Sequence, residues 1–204
     1  IVYAGMMGSL YITNNGGLTW NNTPDANFTA LTHDISDIIT HPTNGNLVWL
    51  ASDQGLYYSS NGGVNWQQLL TGIFQEIEIK PDNPDIMYAV KQINNRTEFY
   101  KSEDGGINFI KKGIGWPDPS GIPGTPEQKR TEIATTPANP NLIYAFATGV
   151  ANGGSGLYGI YRSTDAGENW AFMCCGEGPG GVPNEKKNKN LCAWSDEGED
   201  DGGQ

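Results

Sequence analysis

Apolar positions along this chain fall in short runs separated by polar turn residues. Four runs share one shape, Ile1-Val-Tyr-Ala4, Leu47-Val-Trp-Leu50, Ile86-Met-Tyr-Ala89 and Leu142-Ile-Tyr-Ala145. Each is followed by a second run, Leu10-Tyr-Ile12, Leu56-Tyr-Tyr58, Phe99-Tyr-Lys101 and Ile160-Tyr-Arg162. Ahead of three of these pairs stands a further run closed by proline: Asp37-Ile-Ile-Thr-His-Pro42, Glu76-Ile-Glu-Ile-Lys-Pro81 and Glu132-Ile-Ala-Thr-Thr-Pro137. β-branched and aromatic residues bounded by Gly, Asn, Asp and Pro predict strands and tight turns, and a helical reading would have to override all of them.

After each aromatic run comes one recurring phrase, Thr13-Asn-Asn-Gly-Gly-Leu-Thr-Trp20, Ser59-Ser-Asn-Gly-Gly-Val-Asn-Trp66, Ser102-Glu-Asp-Gly-Gly-Ile-Asn-Phe109 and Ser163-Thr-Asp-Ala-Gly-Glu-Asn-Trp170. A short strand follows it, as in Asn65-Trp-Gln-Gln-Leu69. Four short antiparallel strands repeated in order predict an all-β propeller of four-stranded blades. The intervals Trp20–Trp66 and Trp66–Phe109 are near-equal, and Phe109–Trp170 carries an insertion. The predicted blades cover about 1–22, 37–70, 75–112 and 131–173, with a loop-rich tail over 174–204. Three blades are whole and the first has three strands. The expectation is an incomplete segment of one propeller, completed by the remainder of its own polypeptide.

The phrase resembles the Asp-box (BNR-type repeat), whose family pattern is Ser-x-Asp-x-Gly-x-Thr-Trp. The resemblance implies a hairpin tip between the third and fourth strands of a blade. Asn15, Asn61, Asp104 and Asp165 then accept hydrogen bonds from loop N–H groups, and Trp20, Trp66, Phe109 and Trp170 pack beneath the turn. Asn at two of the four acid positions keeps the acceptor and loses the charge, which points to turn geometry and away from a metal. Propellers with Asp-boxes include sialidases, xyloglucanase-type glycoside hydrolases, sortilin-type receptors, photosystem assembly factors and large secreted bacterial proteins. Asn83-Pro-Asp-Ile-Met-Tyr-Ala89 and Phe99-Tyr-Lys-Ser-Glu-Asp-Gly-Gly106 are most similar to the sortilin-type and xyloglucanase-type group. The tail run Asp196-Glu-Gly-Glu-Asp-Asp-Gly-Gly203 is similar to large exported proteins of Bacteroidota, many of which use type IX secretion. A sialidase needs an arginine triad and an Arg-Ile-Pro motif, whereas only Arg96, Arg130 and Arg162 occur here and none lies in that motif.

Charge and cysteine content narrow the partners. The net charge is −11, which repels phosphate backbones and excludes nucleic acid as the expected partner. No run of apolar residues is long enough to span a membrane, and the expected location is secreted or cell-surface. Cys174, Cys175 and Cys192 cluster near the end of the chain, where Cys192 is expected to pair with Cys174 or Cys175. Their spacing does not suit zinc. Asn21, Asn27 and Asn95 open Asn-x-Thr sequons, which matter only in a eukaryotic secretory pathway.

Propeller topology puts the repeated phrases on one face and the lengthened segments 21–36, 92–97, 111–130, 149–159 and 174–204 on the other. Lengthened loops on one face of a rigid scaffold are where binding concentrates. Trp116 and Trp194 in these loops are not explained by the repeat, and with Asp118 and Arg130 they form the candidate ligand set. The acidic run Asp196, Glu199, Asp200 and Asp201 offers a weak calcium site whose spacing departs from an EF-hand loop; no other cofactor is expected. His33 and His41 have no Ser or Cys motif to activate and suit turn roles.

The function expected is a non-catalytic binding scaffold for a protein or glycan, displayed by the loop-rich face. The alternative is part of a glycoside hydrolase, xyloglucanase-like in preference to sialidase, whose carboxylates lie partly outside this chain.

Overall fold

A computed structural model of the protein describes residues 1–6, 9–25, 34–117, 127–151 and 154–174. Its strands are Val2–Met6 (β1), Ser9–Thr13 (β2), Asn21–Asn22 (β3), Ile35–Thr40 (β4), Val48–Ser52 (β5), Gly55–Ser59 (β6), Gln67–Thr71 (β7), Ile73–Ile79 (β8), Met87–Ile93 (β9), Arg96–Ser102 (β10), Ile110–Lys112 (β11), Glu127–Thr135 (β12), Ile143–Ala151 (β13), Gly154–Ser163 (β14) and Ala171–Cys174 (β15). They form one three-stranded sheet, β1-β2-β3, and three four-stranded sheets, β4-β5-β6-β7, β8-β9-β10-β11 and β12-β13-β14-β15. Every sheet is a sequential meander, the architecture of propeller blades. The chain divides into two compact units, Ile1–Lys91 with Lys101–Ile110, and Gln92–Tyr100 with Lys111–Gln204.

In the first unit, β5 is buried along its whole length. Its apolar run Val48-Trp-Leu-Ala51 has both faces covered, so it lacks the polar alternation of a half-exposed strand. Leu10, Val48, Leu50, Tyr57 and Trp66 make one cluster, with Tyr3, Ile35 and Ile38 packed against it. Burying each large side chain of this set contributes about 1.5–3 kcal/mol.

The four repeat turns share one hydrogen-bond scheme. The Ser or Thr hydroxyl accepts the N–H of the second Gly: Gly17 to Thr13 at 3.0 Å, Gly63 to Ser59 at 2.9 Å, Gly106 to Ser102 at 3.0 Å and Gly167 to Ser163 at 2.9 Å. The same hydroxyl donates to Oδ1 of Asn15, Asn61, Asp104 or Asp165. That Oδ1 in turn accepts the backbone N–H of Thr19, Asn65, Asn108 or Asn169. Both glycines of each Gly-Gly pair sit in the left-handed region, as does Ala166 at φ 56, which takes the first Gly's place in the fourth turn. A closed ring of side-chain and backbone bonds thus ties off each hairpin tip.

Five strands extend beyond their expected ends. Residues 92–97 form a two-residue turn at Asn94-Asn95 that joins β9 to β10, with Asn94 at φ 53, a conformation Asn tolerates. β13 and β14 likewise prolong their hairpin to the pairing Ala151↔Gly154. Arg130 lies in β12, paired with Thr148, and not in the preceding loop. Glu127-Gln-Lys-Arg130 has no apolar alternation to announce a strand; the partner strand β13 carries it.

Candidate functional site

In a sequential antiparallel sheet successive turns alternate ends. The repeat turns close one end of each sheet. The second-to-third-strand turns lie at the other, where chemistry is the expectation.

In the first unit that opposite end holds Asp53 and Gln54, between β5 and β6. Asp34 and Asp53 face each other one step beyond the pair Ile35↔Ser52. The Asp34 N–H donates to Asp53 Oδ1 at 3.0 Å, and the Asp53 N–H donates to the Asp34 carbonyl at 3.0 Å. Gln54 Nε2 donates to Asp53 Oδ2 at 3.2 Å. The Asp53 carboxylate is therefore oriented by two donors while staying half-exposed. Nearby, Gln68 Nε2 bridges the Gln54 carbonyl at 2.9 Å and the Tyr57 hydroxyl at 3.1 Å. Burial pushes the Tyr57 phenol up, and the Asp53 and Asp25 charges push the same way against the Gln68 bond.

The second unit carries a cationic cluster around one buried acid. Glu98, with only 8% of its side chain exposed, accepts from Lys111 Nζ, Arg96 Nη2 at 3.3 Å and the Tyr100 hydroxyl at 3.1 Å. Burial works to raise the Glu98 carboxyl, but the Lys111, Tyr100 and Arg96 partners outweigh it and hold it below the ordinary value.

Trp116 lies in this unit, half-buried on the segment after β11. Its Nε1 donates to Thr97 O at 3.1 Å and lies 3.2 Å from Thr97 Oγ1. Its ring meets Phe99 at 5.1 Å and Trp170 edge-on at 4.8 Å between centroids. These contacts bind its own segment to the sheets. The backbone adds a latch: Ile114 N–H donates to Glu168 O at 3.0 Å and Trp170 N–H donates to Ile114 O at 2.7 Å. Gly115 sits at φ +79 against the Trp170 carbonyl, where a Cβ would clash, so this latch requires glycine.

Arg130 pairs with Glu132, both about half-exposed. A 3.0 Å bond between Thr97 Oγ1 and Thr131 Oγ1 links the neighbourhoods of Trp116 and Arg130. Of the candidate ligand set, the structure thus brings Trp116 and Arg130 into one unit. Asp118 and Trp194 lie outside the described residues, as do the calcium candidates Asp196, Glu199, Asp200 and Asp201, and Cys175 and Cys192; Cys174 is described only as the end of β15. His41 fills a turn role, accepting the Thr43 N–H at 3.3 Å, and His33 lies outside the described residues. Among the described residues no group of three or more His, Cys, Asp or Glu could hold a metal, and no helix is long and apolar enough to cross a membrane.

The Asp34–Asp53 pair was not singled out from the sequence. The signal available was Ser52-Asp-Gln-Gly55, a polar turn between two strands of one blade that equals the other turns in length but carries a carboxylate.

No family model matches the chain. It is 29% identical over 170 residues to a xyloglucanase of Paenibacillus sp, a match that covers 81% of this chain and 14% of the relative. It is 22% identical over 168 residues to a xyloglucanase of Hypocrea jecorina, covering 76% of this chain and 19% of that protein. The chain thus spans less than a fifth of the length of either curated relative. Among solved structures it resembles an ancestral GH74 enzyme, with TM-score 0.67, 19% identity, and coverage of 87% of this chain and 22% of the other. It also resembles the GH74 xyloglucanase from Xanthomonas campestris, with TM-score 0.64 and 14% identity, covering 84% and 28%. These structural likenesses establish the fold as that of a β-propeller segment.

Proposed function

We propose that this chain is part of an exported β-propeller glycoside hydrolase acting on a xyloglucan-type polysaccharide. The observation that carries this reading is the 29% identity to the Paenibacillus xyloglucanase across 81% of the chain. It favours the hydrolase over the non-catalytic scaffold that composition and loops suggest by themselves.

Hydrolysis of a glycosidic bond needs two carboxyl groups flanking it, one giving a proton to the leaving oxygen and one serving as base or nucleophile. Asp53 suits one of these roles. It is half-exposed on the end away from the repeat turns, and its two oxygens are held by the Asp34 N–H and the Gln54 amide. An oriented carboxylate loses little freedom on reaching the transition state.

The test is reducing-end release from xyloglucan by the full-length protein. Hydrolysis is expected, and Asp53→Asn is expected to lower kcat by about 100-fold or more with little change in KM. Intact activity in Asp53→Asn removes Asp53 from the chemistry and leaves the hydrolase reading standing. Retention of xyloglucan on an affinity gel without any new reducing ends defeats the hydrolase and returns the scaffold.

A further inference from the structure

The turn between the first two strands of each four-stranded sheet is built the same way. It reads Asn44-Gly-Asn-Leu47, Asn83-Pro-Asp-Ile86 and Asn139-Pro-Asn-Leu142. The Asn carbonyl accepts the N–H of the last residue: Leu47 to Asn44 at 3.0 Å, Ile86 to Asn83 at 3.1 Å and Leu142 to Asn139 at 2.9 Å. The third residue's carbonyl accepts an N–H from the repeat turn of the same sheet, Gly62 to Asn46, Gly105 to Asp85 and Ala166 to Asn141, each at 2.9 Å. The Asn44 and Asn83 side chains also fold over their own turns, Oδ1 accepting the Asn46 N–H at 3.2 Å and the Asp85 N–H at 3.1 Å.

The turns differ in one nucleophile. Pro84 and Pro140 have no N–H. Gly45 has one, and among the described residues it makes no hydrogen bond. Asn44 and Gly45 are both exposed, and nothing lies within 4 Å of where a Gly45 Cβ would stand. Solvent base therefore reaches the Gly45 nitrogen, and the turn keeps the Asn44 carboxamide beside it. The other described Asn-Gly pairs are closed. Asn61 Oδ1 accepts the Asn65 N–H at 2.9 Å and the Ser59 hydroxyl at 3.0 Å, and the Gly62 N–H is bound to Asn46. Asn15 Oδ1 accepts the Thr19 N–H at 3.0 Å and the Thr13 hydroxyl at 2.9 Å, while its Nδ2 donates to Thr19 Oγ1 at 2.8 Å. Asn152-Gly153 lies outside the described residues.

We propose that Asn44 is a self-modification site, deamidating through a succinimide formed with Gly45 in the folded chain, while Asn15 and Asn61 are spared. Solvent base takes the Gly45 N–H proton and the nitrogen attacks Asn44 Cγ. The new C–N bond closes a cyclic imide, the Cγ–Nδ2 bond breaks, and Nδ2 leaves as ammonia with a proton from water. A water molecule then opens either imide carbonyl, giving aspartate or isoaspartate at position 44. Aspartate keeps an oxygen for the Asn46 N–H. Isoaspartate carries the main chain through an extra carbon, which draws the Asn46 carbonyl away from the Gly62 N–H and disturbs the second repeat turn.

Timed incubation of the folded chain in mildly alkaline, heavy-oxygen water, followed by peptide mapping with mass spectrometry, tests this. Aspartate and isoaspartate carrying heavy oxygen are expected at position 44. Asn15 and Asn61 are expected to react at least about tenfold more slowly, because several bonds must open first at each. In urea the three pairs are expected to converge in rate. Gly45→Pro gives this turn the Asn-Pro sequence of the other two, and Gly45 does not use the left-handed backbone that proline refuses. That variant is expected to fold and to show no product at position 44. Pro84→Gly is the reciprocal change and is expected to start the reaction at Asn83. A position 44 that stays unreacted in the folded wild type overturns the proposal, as does reaction of Asn15 or Asn61 at the same rate. Product at position 44 in Gly45→Pro would remove the Gly45 nitrogen as nucleophile and overturn it too. An inert Asn83 in folded Pro84→Gly would do the same, by showing that a free N–H in this turn is not what decides.

Discussion

The second and third repeat turns, residues 59–66 and 102–109, have the same Ser hydroxyl scheme and the same Gly-Gly backbone, yet they satisfy one carbonyl by different means. In the second turn the Gly63 carbonyl accepts from its own Trp66 Nε1 at 3.0 Å and from Thr23 Oγ1 at 2.7 Å. In the third, Phe109 stands where Trp66 stands and has no N–H to give. The Gly106 carbonyl instead accepts from Trp49, a residue of the preceding sheet. One turn is doubly served and the other depends on a borrowed donor. The two turns share the satisfied acceptor and differ in the residue that satisfies it.

The largest effect is expected where that dependence is single. Trp49→Phe removes the donor to Gly106 and leaves a gap in a site only 1% exposed, at a cost of about 2–4 kcal/mol. Trp66→Phe is expected to cost clearly less, because Thr23 still serves the Gly63 carbonyl. Urea unfolding with unchanged slope measures both. Equal costs would break the comparison. Phe109→Trp is expected to reduce the cost of Trp49→Phe, since the turn then carries its own indole, and a double-mutant cycle isolates that coupling.

Next in size is the feature the two turns share. Ser59 and Ser102 are each 1% exposed, and each hydroxyl both accepts a Gly N–H and donates to the acid or amide. Ser→Ala leaves those groups short of a partner, at about 1–3 kcal/mol in either turn. A large difference between Ser59→Ala and Ser102→Ala would show that the two rings are not equivalent.

This pair of turns also shows what the sequence made legible. The repeat is local in the chain, so its strands, its Gly-Gly tips and the acceptor role of Asn15, Asn61, Asp104 and Asp165 could be read directly. Phe109 could be noticed as a departure, but its compensation could not, because Trp49 is far away in sequence and reaches Gly106 only through sheet packing. Arg130 was placed in a loop for the same reason: its strand is imposed by pairing with Thr148, not by its own pattern. The Asp34–Asp53 pair likewise joins an intersheet link to a hairpin turn, a contact that no local motif encodes. The sequence offers Trp116 as a member of the candidate ligand set. The described contacts to Thr97, Phe99 and Trp170 give it a packing role in its own segment.

A smaller effect separates the turns by pH. Backbone and side-chain bonds from Asn108, with Ser102 adding, hold the Asp104 carboxyl down at about 2 from an ordinary 3.8. A folded pKa below the unfolded one adds stability that is full above about 4 and is lost as pH falls toward 2. Asp104 is solvent-exposed, so screening keeps the contribution within the about 1 kcal/mol of a surface charge interaction. Asp104→Asn is expected to flatten that part of the acid-unfolding curve and to lose that same small increment at neutral pH. An acid curve identical to wild type would separate the low pKa from folding.

The reciprocal change at the second turn is the finest test. Asn61 Oδ1 already accepts the Asn65 N–H at 2.9 Å and the Ser59 hydroxyl at 3.0 Å, the same two bonds that Oδ1 of Asp104 receives. What the third turn adds is the Asn108 side-chain amide donating to Oδ2 at 2.6 Å and a longer bond from the Ile107 N–H to Oδ1 at 3.3 Å. Asn65 stands at the matching position with the same amide. Asn61→Asp therefore presents a second carboxylate oxygen within the same ring, and charge-assisted bonds are stronger than neutral ones. The variant is expected to gain a small increment of stability at neutral pH and to lose it as pH falls below about 4. A carboxyl resonance titrating below the ordinary Asp value, followed by NMR on Asn61→Asp, is the direct readout. Asn65→Ala in that background is expected to return the titration toward the ordinary value. If Asn61→Asp titrates normally with Asn65 in place, the low pKa at Asp104 comes from surroundings other than the turn, and the two rings differ in more than one atom.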